Sequence, residues 1–411
     1  MMLTAITDDL TGAADSGSYF TERGQALRIY TSGEEEIVRR GKEIISVNLS
    51  SRNISGAEAK ARHYDLVRRM NGLPGQVVMK KIGTGFRGND PYEIEGLLEA
   101  APERPCFIID NAPDLGTFTL YGNQYCEGQI LHKSLYAKDP IMPPTCSFIP
   151  DILAEHTGIP IGLVDIDAVK TGRSREETAR QLAAGKRILV FDAVTKADTL
   201  AILQALMPDW PHAFWTGSLG IADALAEYFF GKTRPATLHS RSVRTLGFCA
   251  SAYPMAEKQI NVSCAAGLQL VELDMDAVIG GDTHSERRAI EKCLESICTG
   301  NTLLRPHVEK YSYKEGTSCA IMASVGRCAE EICRKASFDR LAVIGGETAQ
   351  CITARLGVRS IELTAKLEPG VAEGTLCGGV LDGKEFALKG GSVGSEQALE
   401  KMLCRWKETT A

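Results

Sequence analysis

The chain has 411 residues, of which 44% are hydrophobic and 24% charged, so it is long enough for two domains with separate cores. Its formal net charge of −6 argues against a general binder of polyanions, and we expect no nucleic acid among its partners. No segment is long and apolar enough for a membrane span, and acids stand where a signal peptide would carry a basic region. We therefore expect a cytoplasmic protein with no membrane partner.

The first predicted element is a strand over Met2–Ile6, which runs into the adjacent carboxylates Asp8 and Asp9 and then into a helix start at 10–13. Ligands collect at the carboxyl ends of strands in an open parallel sheet, so both aspartates are candidates for acid–base chemistry or metal binding. The alternative is a helix cap, in which Asp or Thr accepts hydrogen bonds from the N–H groups of the first turn.

Apolar runs of strand length alternate with helical patterns along most of the chain. The predicted strands are Ala26–Thr31, Ile44–Leu49, Gln76–Ile82, Cys106–Asp110, Ile161–Ile166, Ile188–Ala193 and Ala213–Thr216. The predicted helices are Ala57–Met70, Tyr92–Ala101, Arg175–Ala184, Ala197–Leu206 and Leu219–Phe229. This alternation predicts an α/β fold with a doubly wound, mostly parallel sheet flanked by helices. The stretch 115–150 interrupts the alternation and is interpreted as a long insertion.

The loop after the predicted strand 76–82 matches the dinucleotide-binding pattern G-x-G-x-x-G through Gly83, Gly85 and Gly88. Asp110, at the end of the next predicted strand, stands where such folds carry their ribose-binding acid. This match supports an alternative function, that of a nicotinamide-dependent oxidoreductase.

The same loop is basic. Arg87 precedes the third glycine, and Lys80 and Lys81 lie just upstream. Arginine binds carboxylates and phosphates through a planar fork of donors, so this arrangement suits an anionic small molecule as well as a pyrophosphate.

A domain boundary is predicted at 233–244. Gly231 fits the position just after a helix, Pro235 blocks its continuation, and the following residues are polar and aperiodic. We therefore expect an N-terminal domain over 1–232 and a C-terminal domain over 245–411, each built on a mostly parallel doubly wound sheet.

The predicted C-terminal domain repeats one pattern three times: an apolar strand, small residues at the turn, then a helix. Small residues let backbone N–H groups approach a phosphate, and the helix N-terminus adds a favourable dipole, so the three turns together predict a nucleotide site. The residues concerned are Ser251, Gly345, Gly346, Glu347, Thr348, Gly390 and Gly391.

Thirteen cysteines are present, but no Cys-x-x-Cys pair occurs. Their spacing does not match a zinc site, so they are interpreted as reduced thiols and no protein-bound metal is expected.

Taken in order, these motifs resemble the four-carbon acid sugar kinases over nearly the whole chain. The motifs are Asp8–Ala13, Arg87–Asn89, Phe191–Ala193, Thr216–Gly220, Gly345–Ala349, Glu368–Gly370 and Lys389–Gly391. The resemblance implies an N-terminal acid-binding domain and a C-terminal ATP-binding domain, with the site in the interdomain cleft. It also implies phosphorylation of a terminal hydroxyl of a small sugar acid such as threonate, erythronate or 3-oxotetronate.

The resemblance implies roles for individual residues. Arg87, with Lys80, would hold the acid, while Asp8 or Asp9 would accept the hydroxyl proton or bind magnesium through water. The glycine turns would hold the phosphates of ATP, which is used with Mg²⁺. The choice between the two aspartates stays open, as does the oligomeric state, for which a homodimer is the candidate.

One departure from the family stands out. The family usually shows Asp-Ser-Thr-x-Arg-Gly where this chain has Gly83-Thr84-Gly85-Phe86-Arg87-Gly88. The loop thus lacks a carboxylate and a hydroxyl that would bind polyol hydroxyls, groups through which such sites discriminate strongly. Two interpretations follow: a kinase with an altered acceptor, or a catalytically altered sugar-acid-binding protein.

Overall fold

The computed structural model describes residues 2–32, 37, 44–70, 75–138, 143–233, 238–282, 284–308 and 317–408. The chain forms two compact units, Met1–Gln25 with Ser32–Thr233, and Ala26–Thr31 with Arg234–Ala411. The second junction falls within the predicted linker 233–244, of which 234–237 lie outside the described residues.

Strands and helices alternate as the sequence predicts. The strands are β1 (Met2–Thr7), β2 (Leu27–Tyr30), β3 (Ile44–Asn48), β4 (Gln76–Lys81), β5 (Cys106–Ile108), β6 (Thr117–Leu120), β7 (Asn123–Cys126), β8 (Gln129–Ile130), β9 (Ile161–Val164), β10 (Ile188–Phe191), β11 (Phe214–Gly217), β12 (Leu238–Ser242), β13 (Thr245–Cys249), β14 (Gln269–Asp274), β15 (Thr302–His307), β16 (Arg340–Ile344), β17 (Ser360–Glu368), β18 (Val371–Cys377), β19 (Glu385–Lys389) and β20 (Cys404–Glu408). The helices are α1 (Leu10–Thr21), α2 (Gly56–Arg69), α3 (Asp90–Ala100), α4 (Ile149–Ala154), α5 (Ile166–Lys170), α6 (Ser174–Ala183), α7 (Lys196–Leu206), α8 (Leu219–Phe230), α9 (Pro254–Ala265), α10 (Met275–Ile279), α11 (Ser285–Ser296), α12 (Thr317–Lys335), α13 (Gly346–Arg355) and α14 (Ala398–Met402).

The first unit is built on a parallel sheet with the strand order β3-β1-β4-β11-β5-β10-β9. Strands such as β3 and β10 are buried along their whole length, as expected for a parallel sheet covered by helices on both faces. The sequence-based strands and helices of this unit are confirmed, with ends that differ by one or two residues. In this order β3, β1 and β4 are neighbours, so the loops after them lie side by side.

The described part of the predicted insertion, 115–138 and 143–150, is folded. It contains a small antiparallel sheet of β6, β7 and β8 and short 3-10 helices at Leu131–Lys133 and Leu135–Lys138, and a third 3-10 helix, Pro113–Leu115, leads into it. The buried carboxylate of Asp192 accepts hydrogen bonds from the backbone N–H groups of Tyr121 (2.6 Å), Gly122 (2.8 Å) and Ile166 (2.9 Å). Asp192 therefore fastens the insertion to the carboxyl end of β10.

The second unit has a mixed sheet. Five strands, in the order β14-β15-β13-β16-β19, are parallel, and β18, β17 and β2 continue the sheet with antiparallel pairing. The parallel part agrees with the predicted α/β fold. The antiparallel part was not predicted, because strand direction depends on which strands pair and not on the local pattern.

The strand β2 belongs to the second unit, whereas the sequence-based prediction assigned all of 1–232 to the N-terminal domain. It pairs antiparallel with the first half of β17, and Arg28 ion-pairs with Glu362 across the two strands. Its apolar pattern predicts a strand correctly but does not indicate its partner.

Candidate functional site

The carboxyl ends of three neighbouring strands bring the predicted acid-binding residues together. Asp8 and Asp9 follow β1, Lys80 and Lys81 end β4, and Arg52 lies in the loop after β3. Arg52 was not singled out in the sequence, because it belongs to no motif and its position depends on β3 lying beside β1.

Asp9 is the N-cap of α1, so the capping interpretation is confirmed for this residue. Its carboxylate accepts hydrogen bonds from the Gly12 N–H at 2.6 Å and from the Thr11 hydroxyl at 2.7 Å. A Cβ at position 12 would lie 2.6 Å from the Asp9 carboxylate, which explains the glycine. Arg52 Nη1 donates to the same side chain at 2.5 Å, so the cap also contacts the cluster.

Asp8 is buried and receives a hydrogen bond from Arg52 Nε at 2.6 Å through its Oδ2 atom. Its other oxygen, Oδ1, accepts no hydrogen bond from any described residue. Burial alone would raise the pKa of Asp8, but the cations Arg52, Lys80 and Lys81 outweigh it and hold the pKa well below its ordinary value. Asp8 is thus an ionised carboxylate, one oxygen of which accepts no hydrogen bond within the described part of the chain.

Arg52 bridges the two aspartates, and 19% of its side chain is exposed, so its guanidinium can also reach a ligand. Burial alone would lower the pKa of Arg52, but the charges of Asp8 and Asp9 raise it by a larger amount. The pKa of Arg52 therefore lies above its ordinary value. A guanidinium held by two carboxylates is oriented before any ligand binds, which reduces the entropy lost on binding.

Lys80 was predicted to bind the acid, yet the structure buries it fully in an ion pair. Its Nζ atom lies 2.5 Å from Glu93 Oε2 on α3 and 2.9 Å from the carbonyl oxygen of Lys81. Lys80 therefore acts on Asp8 through its charge. Lys81 Nζ donates to the carbonyl oxygen of Ile82 at 2.5 Å and would lie 3.7 Å from a Cβ at position 12, so it stands at the start of α1.

The loop 83–88 is a tight turn that needs its glycines. A Cβ at Gly83 would lie 2.4 Å from the Arg87 carbonyl oxygen, Gly85 has a φ of +78°, and Gly88 has a φ of +123°. A Cβ at Gly88 would lie 3.2 Å from Arg52 Cγ, so the loop packs against the Arg52 side chain. Arg87 is half-buried within this loop. An Asp at 83 and a Thr at 85 would therefore distort the turn.

The structure argues against the oxidoreductase alternative. A dinucleotide fold places the ribose-binding acid on the strand next to the glycine loop, whereas β11 separates β4 from β5, which leads to Asp110. Asp110 is buried and accepts hydrogen bonds from the Ser218 N–H at 3.0 Å and from the Gln124 amide. The loop 83–88 and Asp110 thus do not form a dinucleotide site.

In the second unit, the three predicted turns also follow neighbouring strands, β13, β16 and β19. Ser251 follows β13, and Gly391 packs so closely against it that a Cβ at position 391 would lie 2.1 Å from the Ser251 hydroxyl oxygen. Gly345 has a φ of +105°, and its N–H donates to the Lys389 carbonyl oxygen at 2.9 Å. At this edge of the sheet, Gly345 and Gly391 thus have no side chain that would keep a ligand away from the backbone of the turns.

The turn at Gly345 leads directly into α13, a ten-residue helix whose first turn contains Glu347 and Thr348. Thr348 is buried against Gly345, whereas Glu347 is exposed. The N-terminus of a helix behind a glycine turn offers N–H groups and a positive dipole to an anion.

The last turn carries a buried cation and is fixed by two side chains. Lys389 is fully buried at the end of β19, with Nζ 2.5 Å from the Gly390 carbonyl oxygen. Gln259 donates to the carbonyl oxygen of Ser395 at 2.8 Å, and Glu368 accepts from the Ser395 N–H at 2.6 Å. The loop after β19 is thus held in one conformation beside Ser251.

Across the described ranges, no three His, Cys, Asp or Glu side chains come close enough to ligate a metal ion together. No helix in the described part of the chain has the length and apolar composition needed to cross a membrane.

Two family models match the chain. The model described as a sugar-binding N-terminal domain matches residues 3–225, and the model described as a nucleotide-binding C-terminal domain matches 246–399. The first alone spans more than half of the chain, and each match covers one of the two sites described above.

Curated relatives align along nearly their whole length. The chain is 24% identical to a D-threonate kinase of Salmonella typhimurium, over 98% of this chain and 100% of the relative. It is 24% identical to a D-erythronate kinase of Heliobacterium modesticaldum, over 96% and 94%. It is also 24% identical to a 3-oxo-tetronate kinase of Pseudomonas fluorescens, over 98% and 96%.

Two solved structures share the fold. A Salmonella typhimurium protein superposes with a TM-score of 0.82 at 19% identity, covering 97% of this chain and 98% of that one. A Haemophilus influenzae protein of family DUF1537 superposes with a TM-score of 0.73 at 21% identity, covering 97% and 98%. Together with the matched domains and relatives, these findings assign the chain to the family of four-carbon acid sugar kinases.

Proposed function

We propose that this member of the four-carbon acid sugar kinases transfers the γ-phosphoryl group of ATP to a hydroxyl group of a small four-carbon sugar acid. Phosphoryl transfer asks a protein mainly for positioning and for stabilisation of charge, and the residues of both units suit those tasks. The relatives named for threonate, erythronate and 3-oxo-tetronate define the acceptors to test first.

Asp8 is the residue that we assign to the reacting hydroxyl. Its unoccupied Oδ1 can accept the hydroxyl proton in a hydrogen bond while Oδ2 stays fixed by Arg52. Its lowered pKa makes it a weak base, so its contribution is to orient the nucleophile. Asp9, whose oxygens are engaged by Gly12, Thr11 and Arg52, shapes the site by capping α1 and holding Arg52.

Arg87 and Arg52 are the residues that we assign to the carboxylate of the acid. Both carry guanidinium groups, which match a carboxylate through parallel N–H donors. Arg52 is partly exposed and anchored by two aspartates, and the loop that carries Arg87 packs on it. Lys80, which pairs with Glu93, supports the site through its charge.

The nucleotide is assigned to the turns of the second unit. Ser251 and Gly391 expose backbone at close range, and the Gly345 turn directs the N-terminus of α13 towards the same edge of the sheet. These features fit the phosphates of ATP. The buried Lys389 adds a positive charge near them.

Mg²⁺ is the expected companion of ATP, and it usually reaches kinases bound to the substrate phosphates and water, with one or two carboxylates. When bound, the ion would neutralise charge on the transferred phosphoryl group.

The observation that carries this proposal is the unoccupied, buried oxygen of Asp8 beside an oriented arginine. The direct test is ATP consumption by the purified protein against D-threonate, D-erythronate and 3-oxo-tetronate. We expect turnover with one of these acids and its loss in Asp8→Asn, whereas Asp65→Asn, an exposed change on α2, should behave as wild type. Acid binding without ATP consumption would instead favour the sugar-acid-binding interpretation.

A further inference from the structure

Asp90, the first residue of α3, is an ionisable residue next to the acid site to which no role has been assigned. Its side chain is fully buried, and neither carboxyl oxygen accepts a hydrogen bond from any residue in the described ranges. A buried polar group without a partner typically costs about 1–3 kcal/mol, so this side chain weakens the fold as it stands. A leucine would fill a similar space without that cost.

Asp90 belongs to the same electrostatic cluster as Asp8. Its pKa is raised well above its ordinary value by burial and by the charges of Glu93 and Asp8, against the opposing charges of Lys80 and Arg52. These influences favour the protonated carboxyl group, which can donate a hydrogen bond through its O–H as well as accept one.

The neighbouring residue ties Asp90 to the loop that carries Arg52. The Asn89 amide donates to the carbonyl oxygens of Ser51 and Ile54, both at 2.8 Å, so the start of α3 is fixed against both ends of that loop. Asp90 thus follows the glycine loop 83–88 at the end opposite Gly83.

We propose that Asp90 is a further acceptor-recognising residue, whose carboxyl group forms a hydrogen bond with an oxygen of the sugar acid held by Asp8 and Arg52. The inference rests on the proposed function and adds a specificity-determining group to its acceptor site. Gly83 and Gly85 carry no side chain that could contact the acid, whereas Asp90 offers a carboxyl group from the start of α3. In its protonated form this group donates a hydrogen bond, whereas a carboxylate can only accept one.

The test compares two substitutions at one position. Asp90→Asn keeps the size and a hydrogen-bond donor, and Asp90→Leu removes both donor and acceptor. We expect Asp90→Leu to raise KM for the acid by about tenfold to a hundredfold, the range of one lost hydrogen bond in a site, with KM for ATP unchanged. Asp90→Asn should keep KM for the acid within a few-fold of wild type.

The pH profile separates recognition from a structural role. Wild-type affinity for the acid should fall as the pH rises and Asp90 loses its proton, and this fall should be absent in Asp90→Asn. An unchanged KM for the acid in Asp90→Leu would overturn the inference. If Asp90→Leu does not fold, a pH profile of Asp90→Asn identical to wild type would overturn it instead.

Failure of the proposed function gives a different result. If wild type binds a four-carbon acid in a calorimetric titration but transfers no phosphate, the kinase proposal fails, and the dissociation constants of the two variants then replace KM in the same comparison. If wild type binds none of the acids, the acceptor site is wrongly assigned and the inference falls with it.

Discussion

Lys80 Nζ lies 2.5 Å from Glu93 Oε2, and neither side chain has any exposed surface. The pair joins the end of β4 to the first turn of α3, and the charge of Lys80 acts on Asp8. His63 on α2 lies 3.7 Å from the same Glu93 oxygen. This buried pair therefore supports the acid site and makes it sensitive to changes outside it.

Lys80→Met should destabilise the protein strongly. Removing one partner leaves the Glu93 charge buried and uncompensated, which typically costs about 3–5 kcal/mol. The measurement is the free energy of unfolding in denaturant. Lys60→Met is the matched control, since Lys60 pairs with Glu95 and Glu99 at the surface, where such pairs contribute less than about 1 kcal/mol. Equal effects of the two changes would contradict the buried pair.

Asp8→Asn should lower the turnover rate, whereas Asp9→Asn should have little effect on stability. Asp8→Asn removes the charge that orients the hydroxyl, and we expect kcat to fall by about 10²-fold, as for a misplaced reactant, with KM for ATP unchanged. Asn caps helices as well as Asp does, so Asp9→Asn should leave the free energy of unfolding nearly unchanged. Asp9→Ala should lower that free energy by about 1 kcal/mol. A full loss of kcat in Asp9→Asn, with normal turnover in Asp8→Asn, would reverse the assignment of these two residues.

Gly391→Ala should impair nucleotide binding, because the new methyl group would lie 2.1 Å from the Ser251 hydroxyl and force the two turns apart. ATP at 100 times its Kd stabilises a protein by about 2.7 kcal/mol, and this stabilisation, measured as a shift in Tm, should be reduced or lost in the variant. Gly158→Ala is the control, since a Cβ there meets no atom within 4 Å. An unchanged shift in Gly391→Ala would remove this turn from the nucleotide site.

His63 should make stability fall in acid. Burial, partly opposed by the charge of Glu93, lowers the pKa of His63 to about 4, and Nδ1 lies 2.9 Å from the Ala59 carbonyl oxygen. Between pH 6.5 and 4 the imidazole of His63 is protonated in the unfolded chain but neutral in the folded protein. The free energy of unfolding therefore decreases as the pH falls through this range. The full effect is about 3 kcal/mol.

His63→Gln removes this titration. The free energy of unfolding of the variant, followed from pH 7 to pH 4, should therefore fall less steeply than that of wild type. Parallel curves for the two proteins would show that His63 does not keep its neutral form in the folded state.

The residues that the sequence identified share a local cause. Asp8, Asp9 and the turn at Gly345 stand where an apolar run ends and a helix begins, and the turn at Gly391 directly follows the apolar run of β19. This pattern can be recognised without knowing any long-range contact. Arg52 and Asp90 carry no such pattern. Arg52 reaches Asp8 only because β3 lies beside β1, and Asp90 becomes noteworthy only when its burial is known.

The same distinction explains the misleading match at 83–88. Its spacing of glycines satisfies a dinucleotide pattern, but strand order decides what such a loop can bind, and the next strand in the chain is not the next strand in the sheet. The glycines serve the turn itself, through positive φ angles and the close approach of Gly83 to the Arg87 carbonyl oxygen.

The position of β2 has a consequence for how the protein is made. Arg28 on β2 contacts Ser360 on β17, which lies 332 residues later in the sequence. β2 is therefore synthesised long before the strand with which it pairs. Contacts this distant are slow to form, and until β2 docks, β17 is an open edge that can pair with other chains. A fragment that begins at residue 245 would keep this edge permanently, so expression of the second unit alone requires the segment 26–31 to be grafted onto it.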